Sequence, residues 1–228
     1  MTAALPAPPP GTPAAVLWDM DGTLVDTEPY WLESEGELVR SFGGVWTTED
    51  GLQLVGQGLE HSALILQSRG VELGVEEIIL TLTDAVRDRI GRAVPWRPGA
   101  RELLVELKEA GIPTALVTMS RRRMALDVAA ALREALGRDG FDLVVAGDDV
   151  EHAKPHPEPY LTAAERLGVD ITACVALEDS EPGVASAVAA GARVVALPLH
   201  IPLPPSPVYR LRDTLEGLTL TELTEALP

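Results

Sequence analysis

Asp19 and Asp21 stand two residues apart in the stretch VLWDMDGTLVDTEP, Val16–Pro29, directly after the short apolar run Ala14–Trp18. In an extended chain, residues two apart point to the same side. Two carboxylates aimed at one spot repel, so one must take up a proton or the pair must find a cation. Other polar groups follow later apolar runs: Thr118 and Ser120 in TALVTMS and Glu178 and Asp179 in ALEDSEPG at their ends, and Lys154 in HAKPHPEPY farther along, after the third run. Four carboxylates with hydroxyls and one ammonium suit a hard cation such as Mg²⁺, which takes oxygen ligands and accepts a phosphate oxygen. The same set suits phosphoryl transfer: a carboxylate can form an aspartyl-phosphate while the cation, a lysine and hydroxyl or amide donors stabilise charge on the phosphoryl oxygens.

Such a set works only if the chain brings these residues together. Continuous apolar runs at Ala14–Trp18, Thr114–Met119, Phe141–Gly147, Ala173–Leu177 and Arg193–Leu199 predict strands buried on both faces. Between the later runs, Leu103, Leu104 and Leu107, then Met124, Val128 and Leu132, then Leu161, Ala164 and Leu167 keep helical spacing, and Gly111, Gly168 and Gly191 stand where helices end. The alternation predicts an α/β fold with a doubly wound parallel sheet, a Rossmann-like core. In such a sheet, ligands bind beyond the carboxyl ends of the strands, which is where the polar residues lie.

From Glu28 to about Val94 no comparable strand run occurs, while Trp31, Leu38 and Phe42, then Ile78, Leu82 and Val86, keep helical spacing. An all-helical insertion over residues 28–95 is therefore expected, returning through VPWRPGA, where Pro95 and Pro98 disfavour continuing helix. The core is expected over 14–27 and 96–228, preceded by a disordered Pro/Ala-rich tail at 1–13. Past Leu197 the Pro-rich segment reads as loop, followed by a short helix around Thr221–Ala226.

Composition narrows the partners. Lys and Arg total 18 against 35 Asp and Glu, a formal charge of −17 that disfavours nucleic acid or an anionic membrane. No apolar run approaches the roughly 20 residues of a membrane span, and the N-terminal stretch lacks a basic start and an apolar core, so a cytoplasmic protein is expected. Cys174 stands alone in an apolar run and reads as a small core hydrophobe. Four scattered histidines without cysteine partners give no zinc pattern.

DMDGTLVDTEP, LVTMS, AKPHPEPY and ALEDSEPGV resemble, in order, the four motifs of the haloacid dehalogenase superfamily, over roughly Val16–Leu197. The resemblance is closest to its β-phosphoglucomutase-like and sugar-phosphatase branch, whose helical cap is inserted after the first strand. It implies Asp19 as nucleophile and Asp21 as general acid and base, with the Asp21 backbone carbonyl also on Mg²⁺. Thr118, with Ser120, would bind the phosphoryl group, Lys154 would neutralise charge beside Asp19, and Asp179 with Glu178 would help Asp19 hold the metal.

Departures from the mutase pattern point to a phosphatase of small phosphomonoesters, with sugar or polyol phosphates as the expected substrates. Trp31 stands where mutases of the branch carry a histidine, and Leu59 where they carry an arginine for the distal phosphate. Met119 stands where many relatives have asparagine. Dehalogenases lack the second aspartate, so Asp21 argues against dehalogenation. A sugar phosphomutase and a non-catalytic binding protein on the same fold are the alternatives, and a monomer and a weak dimer are not distinguished.

The specificity candidates are Gln57, Glu60 and His61 on the presumed cap loop, and Arg121 at the start of the helix after Thr118. Each has a plainer reading as loop polarity or a solvated face, and Trp31 as packing within the helical insertion.

Overall fold

The computed structural model describes residues 9–225. The tail expectation over 1–8, and Ala226 at the end of the expected C-terminal helix, lie outside the described residues. Residues Pro9 to Thr12 make a turn closed by the Thr12 amide on the Pro9 carbonyl at 3.2 Å.

The chain forms β1 (Val16–Trp18), then the helices α1 (Glu28–Ser41), α2 (Thr48–Leu52), α3 (Leu59–Ser68), α4 (Val75–Arg92) and α5 (Ala100–Glu109). It continues through β2 (Thr114–Val117), α6 (Arg122–Leu136), β3 (Leu143–Val145), α7 (Glu158–Leu167), β4 (Val175–Glu178), α8 (Glu181–Ala190) and β5 (Arg193–Ala196). A short β6 (Arg210–Leu211) and α9 (Leu220–Glu225) follow. The strands pair in parallel in the order β3-β2-β1-β4-β5-β6.

Strand periodicity explains the two layers. Val16 and Trp18 face one side with Leu104, Leu107 and Val128 of α5 and α6. Ala15 and Leu17 face the other with Tyr160 and Ala163 of α7 and Ala187 of α8. Both faces are covered, which is why the strands carry apolar runs rather than alternation. From β1 the chain runs outward through β2 and β3, then returns to pair β4 on the other flank of β1. The sheet order reverses beside β1, and a crevice opens there at the carboxyl ends.

Helices α1–α4 lie between β1 and β2 in sequence. In α4, Ile78, Ile79, Leu82, Val86 and Ile90 are buried on one face, each worth roughly 1.5–3 kcal/mol when fully removed from water. The segments leading into and out of these helices are tied to each other. The Asp26 amide bonds the Pro95 carbonyl at 2.8 Å, the Arg97 amide bonds the Leu24 carbonyl at 3.0 Å, and Val25 bridges Trp96.

Three details differ from the sequence expectations. Phe42 is exposed at the end of α1, because the helix stops beside it and its buried stripe ends at Leu38 and Val39. In α7 the buried face is Pro159, Tyr160, Ala163 and Ala164, and Leu161 turns outward. After the Pro-rich loop the chain adds the edge strand β6, whose two residues are exposed and carry no apolar run to announce it.

Candidate active site

The carboxyl ends of β1, β2 and β4 lie side by side, and each delivers a polar group within a residue or two of its end. Asp19 follows β1, its amide fixed on the Leu177 carbonyl at 3.0 Å. Thr118 follows β2, its amide on the Val145 carbonyl at 2.9 Å. Glu178 ends β4 and Asp179 follows it. Lys154 arrives from the loop after β3 and converges on this row.

The Lys154 Nζ donates to Asp19 Oδ1 at 2.8 Å, to Glu178 Oε1 at 2.6 Å and to the Val117 carbonyl at 2.9 Å. All three ammonium donors are thus used. Burial opposes this charge, but Asp19 and Glu178 together overcome it and raise the lysine pKa. Tyr160, fully buried, donates to the same Glu178 oxygen at 2.5 Å. Burial, with Glu178 and Asp19 adding to it, pushes its phenol well above the ordinary range, so it remains a donor.

One ammonium does not balance the acids around it. Burial pushes the Asp19 carboxyl up to about 7, against the pull of Lys154, with Glu178 and Asp21 adding to the rise. Asp179 is raised well above its ordinary value by burial and then by Asp19 and Glu178. Asp19, Glu178 and Asp179 each offer an oxygen within 4.8 Å of the others. A buried group of this kind lowers its energy by binding a cation. The chain also leaves room for these acids: a Cβ on Gly22 would stand 2.0 Å from Asp179 Oδ2, and one on Gly183, in the first turn of α8, 1.9 Å from Glu178 Oε2.

Asp21 sits in a separate ring of donors. Ser120 Oγ donates to its Oδ2 at 2.7 Å and Thr118 Oγ1 to the same oxygen at 3.4 Å. Thr27 Oγ1 makes a short bond to Oδ1, which the Trp31 indole also reaches at 3.4 Å. Thr118 Oγ1 in turn accepts from the Ser120 amide at 3.0 Å.

Over these residues lies a cavity of about 110 Å³. Asp19, Asp21, Thr118, Ser120, Lys154 and Asp179 line its floor, while Glu178 lies behind Lys154, fully buried. Of the four specificity candidates only Gln57 lines the cavity. His61 is exposed, and Arg121 pairs with Glu60 at 3.4 Å and Glu76 at 2.7 Å. Cys174 is buried as expected and its thiol is pushed up to about 12, mainly by burial.

Sequence reasoning did not single out Tyr160, Thr27, Glu28 or Glu35. Tyr160 gave a faint signal inside the quoted AKPHPEPY. Glu35 gave a clearer one, an acid on the apolar stripe between Trp31 and Leu38. Trp31 packs in the core, as its helical spacing led one to expect, and also lines the cavity.

The model of the haloacid dehalogenase-like hydrolase family matches residues 13–191. The chain is 33% identical over 178 residues to the phosphorylated carbohydrates phosphatase of Thermotoga maritima, covering 78% of this chain and 81% of that protein. It is 30% identical over 214 residues to hexitol phosphatase B of Escherichia coli K12, covering 92% and 93%. The crystal structure of CbbY from Rhodobacter sphaeroides in complex with phosphate superposes with a TM-score of 0.81 at 29% identity, covering 92% of this chain and 99% of that one. With a matched span that includes the ends of β1, β2 and β4, the chain belongs to the haloacid dehalogenase-like hydrolase family.

Proposed function

We propose that the protein is a Mg²⁺-dependent phosphatase that hydrolyses small phosphomonoesters through an aspartyl-phosphate on Asp19. The observation that carries this reading is one lysine ammonium shared by two of three clustered buried carboxylates, opening on a cavity that also holds Asp21. The relatives named as phosphatases of carbohydrate and hexitol phosphates support the same chemistry. The reading includes a cytoplasmic protein, which a lone buried thiol suits, and treats residues 28–95 as a cap over the core of 14–27 and 96–228.

Asp19 and Asp179 face the cavity and would hold the ion with the Asp21 carbonyl, while Glu178 braces Lys154 from behind. Mg²⁺, when bound, neutralises negative charge on the phosphoryl oxygens. The rest of the chemistry belongs to side chains. The Asp19 carboxylate forms a bond to phosphorus as the bond from phosphorus to the ester oxygen breaks, and Asp21 gives that oxygen a proton. Asp21, now ionised, takes a proton from water as the water oxygen attacks phosphorus, releasing phosphate and freeing Asp19. Lys154 keeps Asp19 oriented, and the hydroxyls of Thr118 and Ser120, which line the cavity, would serve the phosphoryl group.

Phosphate release from a panel of small phosphomonoesters, with Mg²⁺ and with EDTA, tests this. Metal-dependent release by the wild type that is lost in Asp19→Asn is the expected result. Full activity of Asp19→Asn overturns the mechanism.

A further inference from the structure

Among the described residues, one group of metal-ligating side chains stands apart from the active-site acids: His152, His156 and Glu158, each offering a ligand atom within 4.8 Å of the others. Four histidines scattered along the sequence announce no zinc pattern, but the chain between these two folds back on itself. The His156 amide closes a turn on the Ala153 carbonyl at 3.0 Å, and the two imidazole rings come to lie 4.5 Å apart, tilted by 32°. Both rings are about half exposed, while the Glu158 side chain, in the first turn of α7, is less so.

The carboxylate is held in place by the backbone. Glu158 Oε1 accepts from the Glu151 amide at 2.7 Å, and Oε2 from the His152 amide at 3.0 Å. The Glu151 amide first, then the His152 side chain, keep its pKa below the ordinary value, so it is ionised. Both rings turn Nδ1 toward the same oxygen: His152 Nδ1 lies 2.7 Å from Oε2 and His156 Nδ1 3.9 Å. The His156 Nδ1 lone pair already faces inward, accepting from the Glu158 amide at 3.3 Å. In a tetrahedral zinc site, bonds of about 2.0–2.2 Å put neighbouring ligand atoms roughly 3.3 Å apart. Each of these two separations is therefore within roughly 0.6 Å of what an ion requires.

Ligand chemistry separates this group from the acids under the cavity. Those offer oxygen alone and suit Mg²⁺, whereas two imidazoles and a carboxylate suit Zn²⁺ and its first-row neighbours and leave a position for water. The backbone joins the two places. Lys154 stands between the two histidines, its amide donating to Met119 Sδ at 3.3 Å, and Ser186 Oγ of α8 donates to the His156 carbonyl at 2.6 Å.

We infer that His152, His156 and Glu158 form a second metal site, selective for a transition-metal dication such as Zn²⁺, that staples the turn carrying Lys154 to the first turn of α7. On binding, His152 Nδ1 gives up its hydrogen bond to Oε2, its proton moves to Nε2, and the freed lone pair joins those of His156 and Glu158 on the ion. The inference stands independently of the phosphatase reading.

The test titrates Zn²⁺ into the full chain by calorimetry, with Mg²⁺ in excess to compete at the oxygen site. One Zn²⁺ per chain is expected in the wild type, and equally in Asp19→Asn and in His61→Ala, which removes an exposed histidine elsewhere. His152→Ala and His156→Ala should each weaken binding at least about tenfold, since even the loss of a ligand's outer partner costs that much. Urea midpoints without zinc check that these variants fold; adding Zn²⁺ should raise the midpoint of the wild type and move theirs less. A wild type that binds no Zn²⁺, or binding that survives both histidine variants, overturns the inference. So does binding lost in Asp19→Asn, which would place the ion among the active-site acids. Phosphate release is not read, so failure of the phosphatase reading would leave these outcomes as they are.

Discussion

The indole N–H of Trp31, in the first turn of α1, points at Oδ1 of Asp21 at 3.4 Å, the same oxygen that Thr27 Oγ1 bonds at shorter range. The helix that walls the cavity thus also holds the residue assigned to proton transfer. A 3.4 Å contact is weak and a short hydroxyl bond to a carboxylate is strong. Thr27→Val should therefore lower kcat more than Trp31→Phe, by about tenfold against about threefold. Steady-state kinetics with hexyl phosphate checks the order, and the reverse ranking would place Trp31, not Thr27, as the principal restraint.

Tyr160 and Lys154 converge on one oxygen of Glu178, which has no exposure to solvent. Tyr160→Phe keeps the ring but removes a donor from a buried carboxylate, at a cost of about 1.5–3 kcal/mol. Urea unfolding should show that loss, with kcat reduced because Lys154 loses part of its brace. A variant as stable as the wild type would mean that Glu178 finds another donor.

Gly22 has a φ of +83°, and a Cβ there would stand 2.0 Å from Asp179 Oδ2. Gly22→Ala therefore strains the backbone and displaces a proposed metal ligand at once. The Mg²⁺ concentration giving half-maximal activity should rise at least about tenfold, a greater effect than the accompanying loss of stability. An unchanged Mg²⁺ requirement would remove Asp179 from the ligand set.

Much of this arrangement was legible because strands buried on both faces admit polar residues only where they end. Asp19, Thr118, Glu178 and Asp179 each break an apolar run, so position and chemistry were read together. Lys154 was legible only through its flanking motif, because no run ends on it. Side chains acting from within a helix gave weaker signals: neither Tyr160 nor Glu35 stood out, although Trp31 and Leu38 flank Glu35 on the buried stripe. Arg121 was chosen for its place at the start of the helix after Thr118, and the structure gives it acidic partners on α3 and α4.

Those partners make Arg121 one of a set of ion pairs that join α6 to the helices before β2. Arg121 meets Glu76 at 2.7 Å, Arg123 meets Asp84 at 2.8 Å and Arg87 meets Asp127 at 2.5 Å. Partly exposed pairs of this kind contribute about 0–1 kcal/mol each and are screened by salt. Arg121→Ala should thus lower stability by less than about 1 kcal/mol and change kcat/KM by a similar factor for every substrate. A change confined to substrates bearing a second negative charge would return Arg121 to the specificity residues.

Glu35 also gives stability a pH dependence of unusual sign. Its carboxyl is raised from 4.5 to about 8, first by burial and then by Glu28. Between those values the folded protein keeps the proton while the unfolded chain has released it, so the folded state binds more protons. Stability from this group is fully present below about pH 4.5 and is lost as pH rises toward about 8, at up to ~1.4 kcal/mol per pH unit. Glu28, raised to about 8 by burial and by Asp21 and Asp26, acts in the same direction. Glu35→Gln removes one of these titrations, so its stability relative to the wild type should improve steadily between pH 5 and pH 8. Urea midpoints measured at each pH for both proteins provide the comparison. Parallel curves would show that Glu35 ionises alike in the folded and unfolded chain, and that its burial carries no electrostatic cost.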